Sequence, residues 1–312
     1  MSDSSETLRP DQDGTDGVRA RLAMRKSSVD RNIVQLRPDG SRKLKRDRVA
    51  GEEPLEIRLV GPTGDPATVA ITMRTPGHDF ALAVGFLTTE GILRGIEDVR
   101  TVEYCTKGIG QEQLYNIVTV HTGRTVPTGV SRRALVTTAS CGICGATSLD
   151  DLEASIPQRV ASDTFRINGG TLVSLPDRLR SEQALFERTG GLHGVGLFDS
   201  VGQMLFVRED IGRHNAVDKV IGEALLASGV TRSTEGQHPN VTELVNTALV
   251  VSGRVSFEIV QKAAMAGISL IVAVSAASSL AIEAADRFGI TLAGFVRDGG
   301  ANLYTHAHRV VS

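Results

Sequence analysis

Two of the chain's three cysteines stand together in Ser140-Cys141-Gly142-Ile143-Cys144-Gly145. Two thiols at this spacing can exchange electrons as a dithiol, hold a metal, or carry a group on sulfur. An apolar run, Ala134-Leu135-Val136, precedes them, followed by Thr137, Thr138 and Ala139. That order predicts a strand ending in a mobile loop that solvent can reach. Gly142 and Gly145 open backbone angles closed to other residues, so the loop can flex and approach a partner closely.

The residues leave several chemistries open. A closed structural zinc site needs four ligands, typically two such pairs. Cys105 lies 36 positions before Cys141 with no cysteine beside it, so a metal reading requires a site shared between two copies. A redox pair opens a helix after a strand, which lowers the first thiol's pKa. Gly145-Ala146-Thr147-Ser148 can open one, although no thioredoxin-like βαβ unit surrounds the pair. Two inert buried thiols are the bland alternative. Covalent carriage of sulfur needs a nucleophilic, accessible, mobile cysteine. Cys141 meets those terms, and Cys144 is placed to attack a persulfide's bridging sulfur.

A second group of candidates lies in the C-terminal half. The sequence predicts a helix over Pro176–Arg188, strands over Gly194–Asp199 and Met204–Glu209 joined by Ser200-Val201-Gly202-Gln203, and a helix over 213–227. Strand and helix then alternate through Thr247–Val251, Phe257–Ala266, Leu270–Ser275, Ser278–Phe288 and Thr291–Val296. Uninterrupted apolar strands such as Leu270-Ile271-Val272-Ala273-Val274 indicate a sheet covered on both faces. Ligands in such sheets sit beyond the carboxyl ends of the strands. Those ends read Glu209 to Asn215, Ser252-Gly253-Arg254, Ser275 to Ser279, and Arg297-Asp298-Gly299-Gly300, a plausible anion pocket. Arg254 and Arg297 are the phosphate candidates, since a guanidinium fork matches phosphate oxygens. His193, Arg213 and His214 lie near the same ends. Gly190-Gly191 reads as a helix C-cap.

The N-terminal half predicts a compact α+β unit. Glu56–Val60 and Thr68–Met73 alternate as strands, a helix opens at Thr75-Pro76-Gly77-His78-Asp79 and stops at Gly91, and Val99–Tyr104 and Tyr115–His121 are further strands. The expected division is 1–48, a disordered charged arm; 49–135, the α+β domain; 136–163, the mobile cysteine loop and linker; and 164–312, the α/β domain. Residues 1–16 carry five acids and one arginine, and residues 19–48 carry eleven Lys or Arg against three Asp. The 312 residues are 41% hydrophobic and 22% charged with net charge -2, which gives no reason to expect nucleic acid or membrane partners. The uncharged run Ala263–Ile282 reads as helix end, buried strand and helix start, not as a membrane span. Few cysteines and no apolar leader in residues 1–20 point to a reducing, cytoplasmic setting.

Together these segments resemble the FdhD family of formate dehydrogenase accessory sulfur carriers. Thr75–Asp79, Gly85–Ile92, Ser140–Gly145, Gly190–His193, Glu209–Lys219, Ser252–Arg254 and Gly294–Arg297 with Tyr304-Thr305-His306 carry the resemblance, which runs from about Val49 to the C-terminus. It implies a sulfurtransferase that accepts persulfide sulfur from a cysteine desulfurase and passes it to the bis(molybdopterin guanine dinucleotide) molybdenum cofactor. That cofactor is a bound substrate before its insertion into the formate dehydrogenase apoenzyme, and the protein is expected to hold no metal of its own. The resemblance implies Cys141 as the persulfide-bearing residue and Cys144 as the second thiol. Phe295, Val296, Arg297, Asp298, Gly299 and Gly300 are implied to contact the guanine nucleotide moiety. Asp298-Gly299-Gly300 is more acidic and glycine-rich than the family pattern. A homodimer and a cytidine-deaminase-like C-terminal domain, a hairpin plus βαβαβ crossovers in a mixed sheet, are also implied. Deaminase chemistry is not: zinc deaminases need His-x-Glu and Pro-Cys-x-x-Cys at two helix starts, and here these read His214-Asn215-Ala216 and Val255-Ser256-Phe257-Glu258. A cofactor chaperone without sulfur chemistry and a dithiol oxidoreductase are the alternatives.

Overall fold

The computed structural model describes residues 27–105, 115–124, 135–137, 164–231 and 244–312. Cys141, Cys144 and most of the expected linker 136–163 lie outside the described residues.

The segment expected to be a disordered arm is instead paired from Ser28 onward. Strands β1 (Ser28–Leu36) and β2 (Arg42–Ala50) form an antiparallel hairpin. Its turn is closed by Gly40 N–H donating to Arg37 O at 2.9 Å, with Asp39 Oδ1 accepting from Ser41 N at 2.8 Å. Asp30 bridges Arg46 and Arg48 across the strands. Pro-Asp-Gly is a turn sequence, and it overrides the charge that otherwise favours an extended arm.

Strands β3 (Glu53–Val60), β4 (Ala67–Arg74), β5 (Val99–Tyr104), β6 (Ile117–Thr122) and β7 (Leu135–Thr137) form the N-terminal sheet in the order β5-β6-β3-β4-β7. Strand β7 runs parallel to β4 at the sheet edge, so the expected boundary at 135 falls inside a strand. Its last residue, Thr137, stands four positions before Cys141. Helix α1 (Asp79–Thr89) has ten of its eleven residues buried. A helix apolar on all sides must be covered on all sides. One face, with Leu82, Phe86 and Leu87, packs on Leu55, Ile57, Val118 and Val120 of the sheet.

The C-terminal sheet contains β9 (His193–Phe198), β10 (Met204–Asp210), β11 (Ala248–Val251), β12 (Leu270–Ala273), β13 (Thr291–Arg297) and β14 (Gly300–Thr305). A short pair, β8 (Ile167–Asn168) with β15 (Val310–Val311), closes the chain ends. The order is β10-β9-β11-β12-β13-β14, with β11, β12 and β13 parallel and the other pairs antiparallel. This is the mixed α/β architecture expected. Helix α2 (Gly169–Ser181) covers one face. After the short α3 (Ala184–Thr189), helices α4 (Arg213–Thr231), α5 (Phe257–Met265) and α6 (Ser279–Arg287) cover the other. The single helix expected over Pro176–Arg188 is thus two helices, with Pro176 inside the first. Strand β14 was also not expected. The turn into it, Asp298-Gly299, has φ of 53° and 74°, the two-residue hairpin geometry that Asp-Gly favours.

The two units meet where α1 crosses α4. A Cβ on Gly85 would sit 2.7 Å from the Asp218 carbonyl carbon, and one on Gly222 would sit 2.7 Å from that of Ala81. Only glycine permits this approach. Alanine in a helix interior ordinarily gains about 1 kcal/mol over glycine, but backbone cannot yield as a side chain can, and overpacking costs about 1–3 kcal/mol. Because the clash is with backbone, the overpacking cost falls at the upper end of that range, so Gly222→Ala is expected to lower the urea midpoint by a net loss of about 2 kcal/mol, whereas Gly64→Ala, at an open loop position, is expected to be near neutral.

Buried charges flank the crossing. Lys219 Nζ lies 2.6 Å from Asp210 Oδ2 and donates to Thr75 O at 2.7 Å. Asp210 also accepts from Thr75 N and Gly212 N. Arg74 grips Asp79 with two hydrogen bonds of 3.0 and 2.9 Å. On the other side Lys262 meets Asp218 at 3.1 Å and Glu90 at 3.2 Å, and Thr89 Oγ1 donates to Asp218 at 2.7 Å. Burial pushes the Asp218 carboxyl up to about 6, against the pull of Lys262. Burial presses the Lys262 ammonium down, but Asp218 and Glu90 outweigh it and hold it above its ordinary value.

The folded chain thus holds the Asp218 proton more tightly than the unfolded chain, whose carboxyl titrates near 3.8. The group's contribution to stability is greatest below that pH and declines as pH rises to about 6. Wild type is expected to lose stability relative to Asp218→Asn across this window. Urea unfolding of both proteins at several pH values checks it; a constant difference would contradict the assignment.

Candidate functional site

Beyond the carboxyl ends of β11, β12 and β13 lies a cavity of 570 Å³. Ser252 and Gly253 follow β11, Val274 follows β12, and Val296, Arg297 and Asp298 end β13. His193 at the start of the antiparallel β9 joins them, and α2, α3 and the Gly190-Gly191-Leu192 turn close the opposite wall. Gly190, at φ 66°, is the C-cap of α3, as expected.

Strand β13 does not enter the cavity as a regular strand. Its pairing with β14 slips between Gly294 and Arg297, and Phe295 has φ of 50°. A bulge of this kind re-aims side chains. Val296 is fully buried and shares the apolar cluster beneath α2, while Phe295 is 37% exposed and carries the Arg297 guanidinium 5.6 Å from its ring centre. A positive φ at a phenylalanine is sterically unfavourable, and strain of this sort clusters at ligand clamps.

Of the six sequence-derived contact residues, Val296, Arg297 and Asp298 line the cavity; Phe295, Gly299 and Gly300 do not. Arg254 is exposed and stands outside the lining, so the sequence expectation of a phosphate contact there is not met by geometry. Arg213 and His214 also stand outside it. His214 faces Ser256 at 3.4 Å and Glu258 at 3.9 Å across the starts of α4 and α5. His193 is placed at the cavity. Burial, followed by the Arg213 charge, holds its imidazolium below the usual pKa, so it is neutral at pH 7 and can both donate and accept.

Residues that sequence reasoning missed complete the wall. Arg180 lies 4.5 Å over the Phe186 ring, and Asp177, Leu179 and Gln183 also face the cavity. Their one visible signal, helical periodicity, is shared by any core-facing helix. Two arginines at the rim, carboxylates beside them and an apolar floor suit a planar, anionic ligand of nucleotide size.

The family model described as FdhD/NarQ matches residues 50–311. The chain belongs to the FdhD/NarQ family. It is 44% identical over 285 residues to a protein of Streptomyces avermitilis named sulfur carrier protein FdhD, covering 90% of this chain and 94% of that one. A protein of the same name from Thermoplasma acidophilum is 41% identical over 287 residues, covering 91% and 94%. The fold also matches a crystal structure of a putative formate dehydrogenase accessory protein from Desulfotalea psychrophila. That match has a TM-score of 0.67 at 24% identity and covers 92% of this chain and 100% of that one. The family-like segments separate into two groups in space. Gly190–His193, Ser252-Gly253 and Val296-Arg297 surround the cavity. Thr75–Asp79, Gly85–Glu90 and Asp210–Lys219 form the contact between the two units. None of the described helices is long and apolar enough to cross a membrane.

Proposed function

We propose that the protein is a sulfur carrier serving the maturation of formate dehydrogenase. Cys141 attacks the persulfide of a cysteine desulfurase, takes its outer sulfur and becomes Cys141-S-SH, and the desulfurase thiol departs. The substrate that receives the sulfur is the bis(molybdopterin guanine dinucleotide) molybdenum cofactor, held by a guanine nucleotide in the cavity at the ends of β11–β13. Arg297 meets its phosphates, with Asp298 beside it at the same rim. Cys144 either relays the sulfur or attacks the bridging sulfur of Cys141. The second route releases hydrosulfide and leaves a Cys141–Cys144 disulfide for a thiol reductant to reset.

The observation that carries this reading is the family match across residues 50–311, which spans the cysteine pair and the cavity together. The relatives' name, sulfur carrier protein, supports the sulfur chemistry. The rim arginines support the nucleotide site. Deleting the gene from its host is expected to abolish formate dehydrogenase activity with apoenzyme still present, and the full chain in trans restores it. Undiminished activity in the deletion strain would overturn the proposal.

A further inference from the structure

Residues Pro176–Arg188 read as one helix, yet the chain leaves helical geometry at Gln183, whose φ and ψ are -81° and 64°. Ala184 N donates to Glu182 O at 3.0 Å across it, an inverse γ-turn. The break is held from outside. The Glu209 carboxylate, at the end of β10, accepts from Leu185 N at 2.8 Å and Phe186 N at 2.7 Å, so it caps a new helix start that the sequence alone does not announce.

The break turns the Gln183 side chain into the cavity wall. The residue is 3% exposed and lines the cavity, and its carboxamide makes no hydrogen bond with any described residue. Space is kept for it: a Cβ on Gly194 would lie 2.5 Å from its Cδ and 2.8 Å from its Cγ. Among the described residues the sealed side-chain atoms without a partner are Arg208 Nε and Arg213 Nε, not those of Gln183, so its carboxamide opens onto the cavity and takes its partner there. A leucine would fill the same space with nothing to offer a ligand. A polar head with no protein partner, held by a nearly buried stem and facing a cavity, is explained if its partner is the ligand.

We infer that Gln183 reads the edge of the heterocycle bound in this cavity, and so determines ligand specificity. The inference rests on the guanine-nucleotide reading of the cavity. A carboxamide sets an acceptor, Oε1, beside a donor, Nε2. Guanine presents the complement at N1–H and O6. A pterin ring presents the same 2-amino-4-oxo edge, so the chemistry is shared by both ends of a molybdopterin guanine dinucleotide. The Arg180–Phe186 pair on the same wall offers a flat cationic and aromatic surface against which such a ring can lie. Phosphates are left to Arg297 at the opposite rim.

The test is calorimetric titration of full-length wild type and Gln183→Leu with GDP, with pterin-6-carboxylate and with inorganic pyrophosphate. Wild type is expected to bind GDP, and the variant to bind it at least about tenfold more weakly, as loss of a paired base edge implies. Pyrophosphate affinity is expected to be unchanged, and the urea midpoint not to fall, because the substitution removes an unpartnered amide. Gln183→Met serves as a second apolar variant should leucine pack poorly. Equal GDP affinity in wild type and variant overturns the inference while leaving the nucleotide site intact. Parallel loss of GDP and pyrophosphate overturns it too, since a base-edge contact cannot affect a ligand without a base. Binding of the pterin but not GDP, again weakened in the variant, keeps Gln183 as the edge reader and overturns the guanine assignment. Wild type binding neither ring overturns both.

Discussion

Cys141→Ala is expected to leave formate dehydrogenase activity at the level of the deletion strain when supplied in trans. Sulfur carriage needs a thiolate that can form and release an S–S bond, and alanine offers no nucleophile. Cys105, half-buried just after β5, is expected to be dispensable: Cys105→Ala retains near wild-type activity. Cys144→Ala separates relay from release. Under relay it abolishes activity, whereas under release it slows turnover and lets Cys141-S-SH accumulate. The Cys141→Ala protein is expected to keep the wild-type urea midpoint and GDP affinity, so the loss is chemical. Wild-type activity in Cys141→Ala cells would leave a cofactor chaperone in place of a carrier.

Lys219→Met is expected to cost about 3–5 kcal/mol of stability. Methionine fills most of the volume of the lysine stem, so the cavity contribution is small. The charge decides the outcome. Lys219 is 1% exposed and its ammonium lies 2.6 Å from a fully buried Asp210 carboxylate. Removing it leaves that carboxylate with only the neutral donors Thr75 N, Gly212 N and Asn215 Nδ2, and leaves Thr75 O without its ammonium partner. Adding Asp210→Asn to Lys219→Met is expected to recover part of the loss, because the uncompensated charge goes too. Urea unfolding reads both as midpoint shifts at unchanged slope. A loss under about 1 kcal/mol for Lys219→Met would show that the pair contributes little. The site consequence is direct: Thr75 belongs to the unit whose edge strand β7 leads to Cys141, and Asp210 to the unit bearing the cavity.

The alternation of β9 to β13 with α4 to α6 was legible because uninterrupted runs such as Leu270–Val274 and helices of about a dozen residues have few other solutions. The cavity followed from topology, since ligands gather at strand carboxyl ends. Three features were not legible. The helix break at Gln183 depends on Glu209, distant in sequence, and local periodicity is blind to such a cap. The hairpin at Ser28–Ala50 was masked by charge, although Pro38-Asp39-Gly40 is a turn signal. Asp298-Gly299 reads in sequence as a strand's carboxyl end, whereas it is a tight turn into a further strand. The motifs at Thr75–Asp79 and Asp210–Lys219 carried no hint of their task. A buried ion pair between distant segments has the same sequence signature as a catalytic pair, and only the α1–α4 crossing shows which it is.

The central claim is tested most directly by intact mass spectrometry of the protein after incubation with a cysteine desulfurase and cysteine. The account predicts added mass in whole sulfur atoms, lost on treatment with a thiol reductant and absent from Cys141→Ala. A wild-type protein that gains no sulfur under conditions where the desulfurase is itself persulfidated, or a Cys141→Ala protein that gains as much, would contradict it.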